Sequence, residues 1–352
     1  MNMKTTIASV AAALWLSLVA AAHAQTPQAP ISIGDGHFPN DNDGSTGVAT
    51  FGGGAQIAWR QRDYARLDDW FDHWAKPEER FDDGRWHLAA LSAGLDSAFT
   101  HRSPKDWKEE QERISEWRQK NPASTAVDIV EAQLLTNWAW SARGSGYARS
   151  VTPEGWKLFH ERLNRAEELL FRSKERSSGN PLWYAEYLTV ALANDWDPAE
   201  FRALHDAAIA RFPDFHPFYF KMIQHLQPRW GGSIEQIDAY IAEVAKQTEA
   251  QQGKIMYARL YWYLAGIEGA DFSLFEDSAV NWADMKTGFE QLIAATPKSN
   301  WNFNNFASFA CRAGDADTYR KLRKQLDARF YEDAWPSNYR MEICDERLLK
   351  AI

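Results

Sequence analysis

Apolar residues along most of this chain recur every three or four places, the spacing of one face of an α-helix. The clearest run is Ile234, Ile237, Ile241, Val244 and Thr248. Ser233 precedes it and Gln236 follows three places on, the residue types of an N-terminal capping box. Trp156, Phe159, Leu163, Ala166 and Leu170 repeat the pattern. Farther on, Tyr257, Tyr261 and Leu264 take one face of a helix while Met256, Leu260 and Tyr263 take the adjoining one. That helix is apolar nearly all round, which predicts a central, buried place. Alternating β-branched runs are nearly absent, so the chain reads as all-α.

The helix starts repeat as well. Ser103-Pro104-Lys105-Asp106-Trp107, Thr152-Pro153-Glu154-Gly155-Trp156 and Asp197-Pro198-Ala199-Glu200-Phe201 share one design. Each has a capping side chain, a proline at the first helical position and an aromatic three residues later. Breaks at Asn121-Pro122, Asn180-Pro181 and Phe212-Pro213 fall between them, so each unit is a helix, a turn and a second helix. Later helices start near Ser233, Trp282 and Asp315 at similar spacing. Such periods predict a right-handed α-solenoid of irregular, tetratricopeptide-like hairpins, about five to seven of them, over residues 55–352.

Two segments lie outside that pattern. Residues 25–54 lack periodicity and carry Pro27, Pro30, Pro39 and the triple Gly52-Gly53-Gly54, which reads as a flexible arm. Within it, Asp41-Asn42-Asp43-Gly44 tempts a calcium-loop reading. With Gly44 at the sixth place, the first and twelfth ligand positions fall on Pro39 and Thr50, and neither supplies a carboxylate. At the start, Lys4 is the only charge before an apolar run from Ile7 to Ala22, followed by Ala22-His23-Ala24. A basic start, a short apolar stretch and a small-residue exit predict a signal peptide over residues 1–24, cut before Gln25. The run is too short and too rich in Ala for a membrane-spanning helix, which needs roughly 20 strongly apolar residues. A periplasmic or secreted location is therefore expected, with no membrane insertion.

Composition adds three points. The formal net charge is −9 with no basic cluster, which argues against nucleic acid as a partner. The only cysteines, Cys311 and Cys344, are expected to pair in an oxidising compartment. Seventeen tryptophans far exceed ordinary usage, and most are assigned to gaps between packed hairpins, with the remainder left for a groove.

No His-Glu-x-x-His, Gly-x-Ser-x-Gly or phosphate-binding glycine loop occurs, and no catalytic residue, metal or cofactor is expected. His205, His216 and His225 are the only local group of histidines, and their spacing matches no common metal motif. Glu109, Glu110, Glu112 and Glu116 share a stretch with Lys105, Lys108 and Arg113, as on a solvated helix face.

Two segments stand out, Pro228-Arg229-Trp230-Gly231-Gly232-Ser233 and Ala139-Trp140-Ser141-Ala142-Arg143-Gly144. With the turn Ala310-Cys311-Arg312-Ala313-Gly314-Asp315, they resemble a family of bacterial tetratricopeptide-like helical-repeat proteins known mainly as a domain of unknown function. The resemblance covers roughly residues 60–330. It implies the helical-repeat fold and carries over no catalytic residues. In the structural reading of both segments, the glycines end one element and aim the next. Arg229 and Arg143 then bond helix-end carbonyls, and Trp230 and Trp140 wedge into seams. In the functional reading, the same four side chains face a concave binding surface.

The expected function is an exported scaffold that binds a protein or peptide on its concave face without catalysis. The alternative is a glycan-binding or glycan-processing protein of the envelope. Three or more exposed tryptophans beside paired carboxylates would favour glycan. Processing is directly measurable: protein recovered from its native host should begin at or near Gln25, as read by intact mass or N-terminal sequencing.

Overall fold

Sixteen α-helices and no β-strand occupy the described residues of the computed structural model, which are 42–99, 103–268 and 272–349. The expected signal peptide, its cleavage site and residues 25–41 of the expected arm lie outside them. The first half runs α1 (Gly44–Gln61), α2 (Tyr64–His73), α3 (His87–Ala98), α4 (Pro104–Lys120), α5 (Ala126–Arg143), α6 (Pro153–Ser177), α7 (Pro181–Ala193) and α8 (Pro198–Arg211). The second runs α9 (Pro217–His225), α10 (Ile234–Gln252), α11 (Ile255–Ile267), α12 (Leu274–Asp277), α13 (Trp282–Ala295), α14 (Asn300–Arg312), α15 (Ala316–Leu326) and α16 (Met341–Leu348).

The helix starts are capped as their sequences predict. Ser103 and Asp106 form a full capping box on α4, Thr152 accepts from the Gly155 N–H, and Asp197 accepts from the Ala199 N–H. Each capped acceptor satisfies an N–H that a helix start otherwise leaves without a partner. Ser233 caps α10 through the Gln236 N–H, and Asp315 caps α15 through that of Thr318.

The helices stack as neighbouring hairpins. α1 packs on α3, α3 on α5 and α7, α5 on α7, α7 on α9, and α9 on α11, so these form an inner row. α4, α6, α8 and α10 cover that row from outside. Composition follows position. α7 has a single charged residue and α11 one arginine, whereas α4 carries charges along most of its length. Nine of the sixteen tryptophans in the described residues are buried, among them Trp59, Trp117 and Trp183, so this residue type serves chiefly to fill the seams between hairpins.

The expected arm needs correction. Residues 44–54 form the first part of α1, and Gly52 and Gly54 are buried. A Cβ on Gly94 of α3 would overlap the Gly52 carbonyl, so the glycine run lets two helix backbones approach where side chains would hold them apart. Glycine inside a helix costs up to about 1 kcal/mol relative to alanine, and close packing of α1 on α3 offsets it. Composition alone reads such a run as a linker, since the partner surface is distant in sequence.

The start of the described chain also meets its far end, because α1 touches α14. The Asp43 carboxylate accepts from Ser299 Oγ at 2.7 Å and from the Trp301 N–H at 2.9 Å, while the Thr46 N–H donates to the Tyr331 hydroxyl at 2.9 Å. Asp83, in the turn before α3, is 1 % exposed. Its carboxylate accepts from Gly44 N–H and Arg85, and its carbonyl accepts from Arg259 of α11 and Asn302 of α14.

Cys311 of α14 and Cys344 of α16 lie at disulfide distance, with sulfurs 2.00 Å apart and both residues fully buried. The pair closes a loop across 33 positions. Replacing either cysteine by Ser should lower stability by about 2–4 kcal/mol through the released loop entropy, as measured by chemical denaturation with and without reductant.

Candidate functional site

The inner row is not filled throughout. Between α3, α5, α7 and α9 lies a hollow of about 1020 Å³, open to solvent, with a mixed polar and aromatic lining. Its polar heart comes from three helices, each of which contributes its only Asp, Glu, Lys or Arg: Asp96 from α3, Glu186 from α7 and Lys221 from α9. An ionisable group in an apolar helix is costly unless its neighbours satisfy it. Here they do. Thr136 of α5 donates to Glu186 at 2.7 Å, and Asn137 of α5 donates to Asp96 at 2.7 Å.

Burial dominates the protonation of this cluster. It pushes the Glu186 carboxyl up to about 7, against the opposing pull of Thr136 and Lys221. It raises Asp96 as well, and it lowers the Lys221 ammonium against the attraction of Glu186 and Asp96. Near neutral pH the cluster therefore holds a proton that Glu186 is able to give or take. Such a group can donate to a ligand oxygen or accept from a ligand N–H.

Three of the four expected binding residues reach this hollow. Trp140 from the last turn of α5 lines one end, and Arg229 and Trp230 from the turn after α9 line another. Both tryptophans are half-buried. Arg229 donates to Gln227 Oε1 and to the Ile267 carbonyl that ends α11, and Gln227 in turn donates to Glu268 at 2.8 Å. Arg143 does not line the hollow. It is buried behind Trp140, with its guanidinium 5.3 Å from the ring centres of Trp140 and of Trp156, and it donates to the Gly144 and Gly146 carbonyls. Arg143 thus holds the Trp140 ring from behind.

The junction itself turns as its sequence predicts, with one reassignment. α9 stops at His225, Pro228–Trp230 makes a single 3-10 turn, and Gly231 takes the left-handed conformation at φ +90°. Gly232 needs its bare Cα for a different reason, because a Cβ there would overlap the Leu226 carbonyl.

Asp96, Glu186 and Lys221 are absent from the motifs of the chain, yet the sequence carries a signal for them. Each is a lone charge inside an otherwise apolar helix, a placement that marks a buried polar network. The three histidines serve separate places: His205 bonds the Tyr240 hydroxyl at 3.0 Å, His225 stacks on Phe201, and His216 lines a neighbouring hollow. Among the described residues, no group of three or more His, Cys, Asp and Glu side chains is placed to hold a metal ion. Comparison with protein-family models, with curated proteins and with solved structures finds no match to this chain.

The two parts of the junction should respond differently to mutation. Gly232→Val forces atoms into occupied space and should cost at least about 1–3 kcal/mol. Trp230→Ala, at a half-buried site, should cost well under the roughly 3–5 kcal/mol of an enclosed tryptophan. Thermal and chemical denaturation of the two variants would compare them.

Proposed function

We propose that the protein is an exported helical-repeat scaffold that holds a segment of a protein partner along its inner row, without catalysis. The observation that carries this reading is the continuity of the inner surface. The polar hollow shares Lys221 and Gln224 with a second hollow lined by α3, α9 and α11, so a trough runs across successive helices. A trough of that form suits an extended chain better than a compact metabolite. Its lining supports the same reading, since Trp140 and Trp230 offer apolar faces beside Gln133, Asn137 and Arg229, which match the amides and side chains of a peptide. Export is supported by the cysteine pair at disulfide distance and by the basic, apolar and small-residue order of the first two dozen residues. No helix among the described residues is long and apolar enough to cross a membrane.

A second reading has one observation in its favour. The carboxyl groups of Asp96 and Glu186 lie in the same hollow as two partly exposed tryptophans, a combination that also suits sugar rings. Both tryptophans are half-buried, so the three exposed tryptophans that would favour glycan are not found among the described residues.

Parallel screens of residues 25–352 against a peptide library and a glycan array would separate the readings. The expected result is retention of peptides that Trp140→Ala and Trp230→Ala weaken about tenfold or more, at near-normal melting temperatures. Retention of glycans with no peptide binding would overturn the scaffold reading.

A further inference from the structure

The second hollow has a chemistry of its own. It has room for about 120 Å³ of water-sized space, and its walls include the aromatic rings of Phe81, Trp86, Phe220 and Tyr263. Phe220 and Tyr263 stack with centroids 4.2 Å apart and form one flat side. On α3, Ala89, Ala90 and Ala93 face the same space, and their small side chains leave it open. Small residues on one helix opposite large rings on two others make an apolar slot the width of a ring or an alkyl chain.

One end of the slot is cationic. Arg85 and His216 both line it. Arg85 uses Nε and Nη2 on Asp83, at 2.9 and 2.6 Å, and Arg80 close by pairs with Asp214. His216 is 6 % exposed and lines the hollow, and its ring nitrogens are not among the buried polar atoms left without a partner, so they face the open space. Burial, and after it the charges of Arg259, Arg80 and Arg85, hold its imidazole neutral, well below the usual histidine range. Arg259 stands behind it, 8 % exposed. It donates Nη2 to the Asp83 carbonyl at 2.7 Å, its Nε is buried without a partner, and it has no carboxylate partner among the described residues. Asp43, on the α14 side, is engaged with Ser299 and Trp301.

Arg259 feels the Asp83 carboxylate but keeps a buried Nε without a partner, and the imidazole of His216 is free to donate into the hollow. Arg85 and His216 line the apolar slot itself, and the charge of Arg259 reaches His216 from outside the lining. We propose that this hollow binds a small monocarboxylate with an aryl or alkyl body. The body lies between Trp86, Phe220, Tyr263 and the alanines of α3, and the carboxylate accepts from Arg85 and His216 in the field of Arg259. The site shares Lys221 and Gln224 with the polar hollow but is argued from its own lining, and a peptide lying along the whole trough would compete with the acid for it.

Calorimetric titration of residues 25–352 with 3-phenylpropionate and with octanoate tests it, with 3-phenylpropionamide as the uncharged control. The acids should bind, and the amide should bind at least about tenfold more weakly because it carries no negative charge to pair with the guanidinium. Ala93→Leu fills the slot away from the arginines and should abolish acid binding at an unchanged melting temperature. Trp230→Ala, at the other hollow, should leave it as it was. Equal binding of acid and amide, or no binding of either acid, would overturn the proposal. So would binding of an eight-residue peptide ending in Phe where 3-phenylpropionate fails, since the carboxylate would then belong to a chain terminus.

Discussion

The buried carboxylate of Asp83 joins parts of the chain that are far apart in sequence. It accepts from the first N–H of α1 and from Arg85, while the carbonyl of the same residue accepts from α11 and α14. Arg85 holds the carboxyl below the usual carboxylate range despite full burial, so the charge persists where these bonds need it. Breaking one partner of a buried, hydrogen-bonded charge costs several kcal/mol, because the other partner is left without compensation. The turn that carries Asp83 therefore sets where α1 and α3 lie relative to α11 and α14, and with them the walls of the slot beneath Trp86. Both hollows inherit their shape from that arrangement.

The inner row carries a second constraint. A stack of apolar helices is most stable when its interior is sealed, yet α3, α7 and α9 each bring a lone charge to one place. Well-packed apolar residues are often at least as stable as buried ions at such positions. The hydrogen bonds from Thr136 and Asn137 limit the cost without removing it. That placement, together with the half-buried tryptophans around it, sets this part of the inner row apart from an ordinary sealed core.

Much of the fold was legible in the sequence. The stripes of α6 and α10, the proline-led caps of α4, α6 and α8, and the all-round apolar character of α11 each follow from local rules that act within one or two turns of helix. The pairing of Cys311 with Cys344 needed only the compartment and the count of cysteines. Helix α1 was not legible, because Gly52-Gly53-Gly54 has a poor helix propensity that only contact with α3 overrides. The candidate site was half legible. Trp140, Arg229 and Trp230 stood out through unusual local composition, while Arg143 shared that composition and proved to lie behind Trp140. Asp96, Glu186 and Lys221 come together only through packing of helices far apart in sequence, although their isolation among apolar neighbours is plain to read.

The contact between α1 and α14 has a consequence for how the molecule comes apart. In an open stack of repeats, each unit leans only on its neighbours, the outermost units fray first, and polar capping repeats protect them. Here the first described unit leans on α14 and the segment after α15 through Asp43, Asp83 and Tyr331. Fraying from the α1 side must first break that clasp, while α16 beyond it is held to α14 by the cysteine pair. The described helices behave more as a hoop than as a spring, and an opened hoop loses the width of its inner trough at the same moment as its stability.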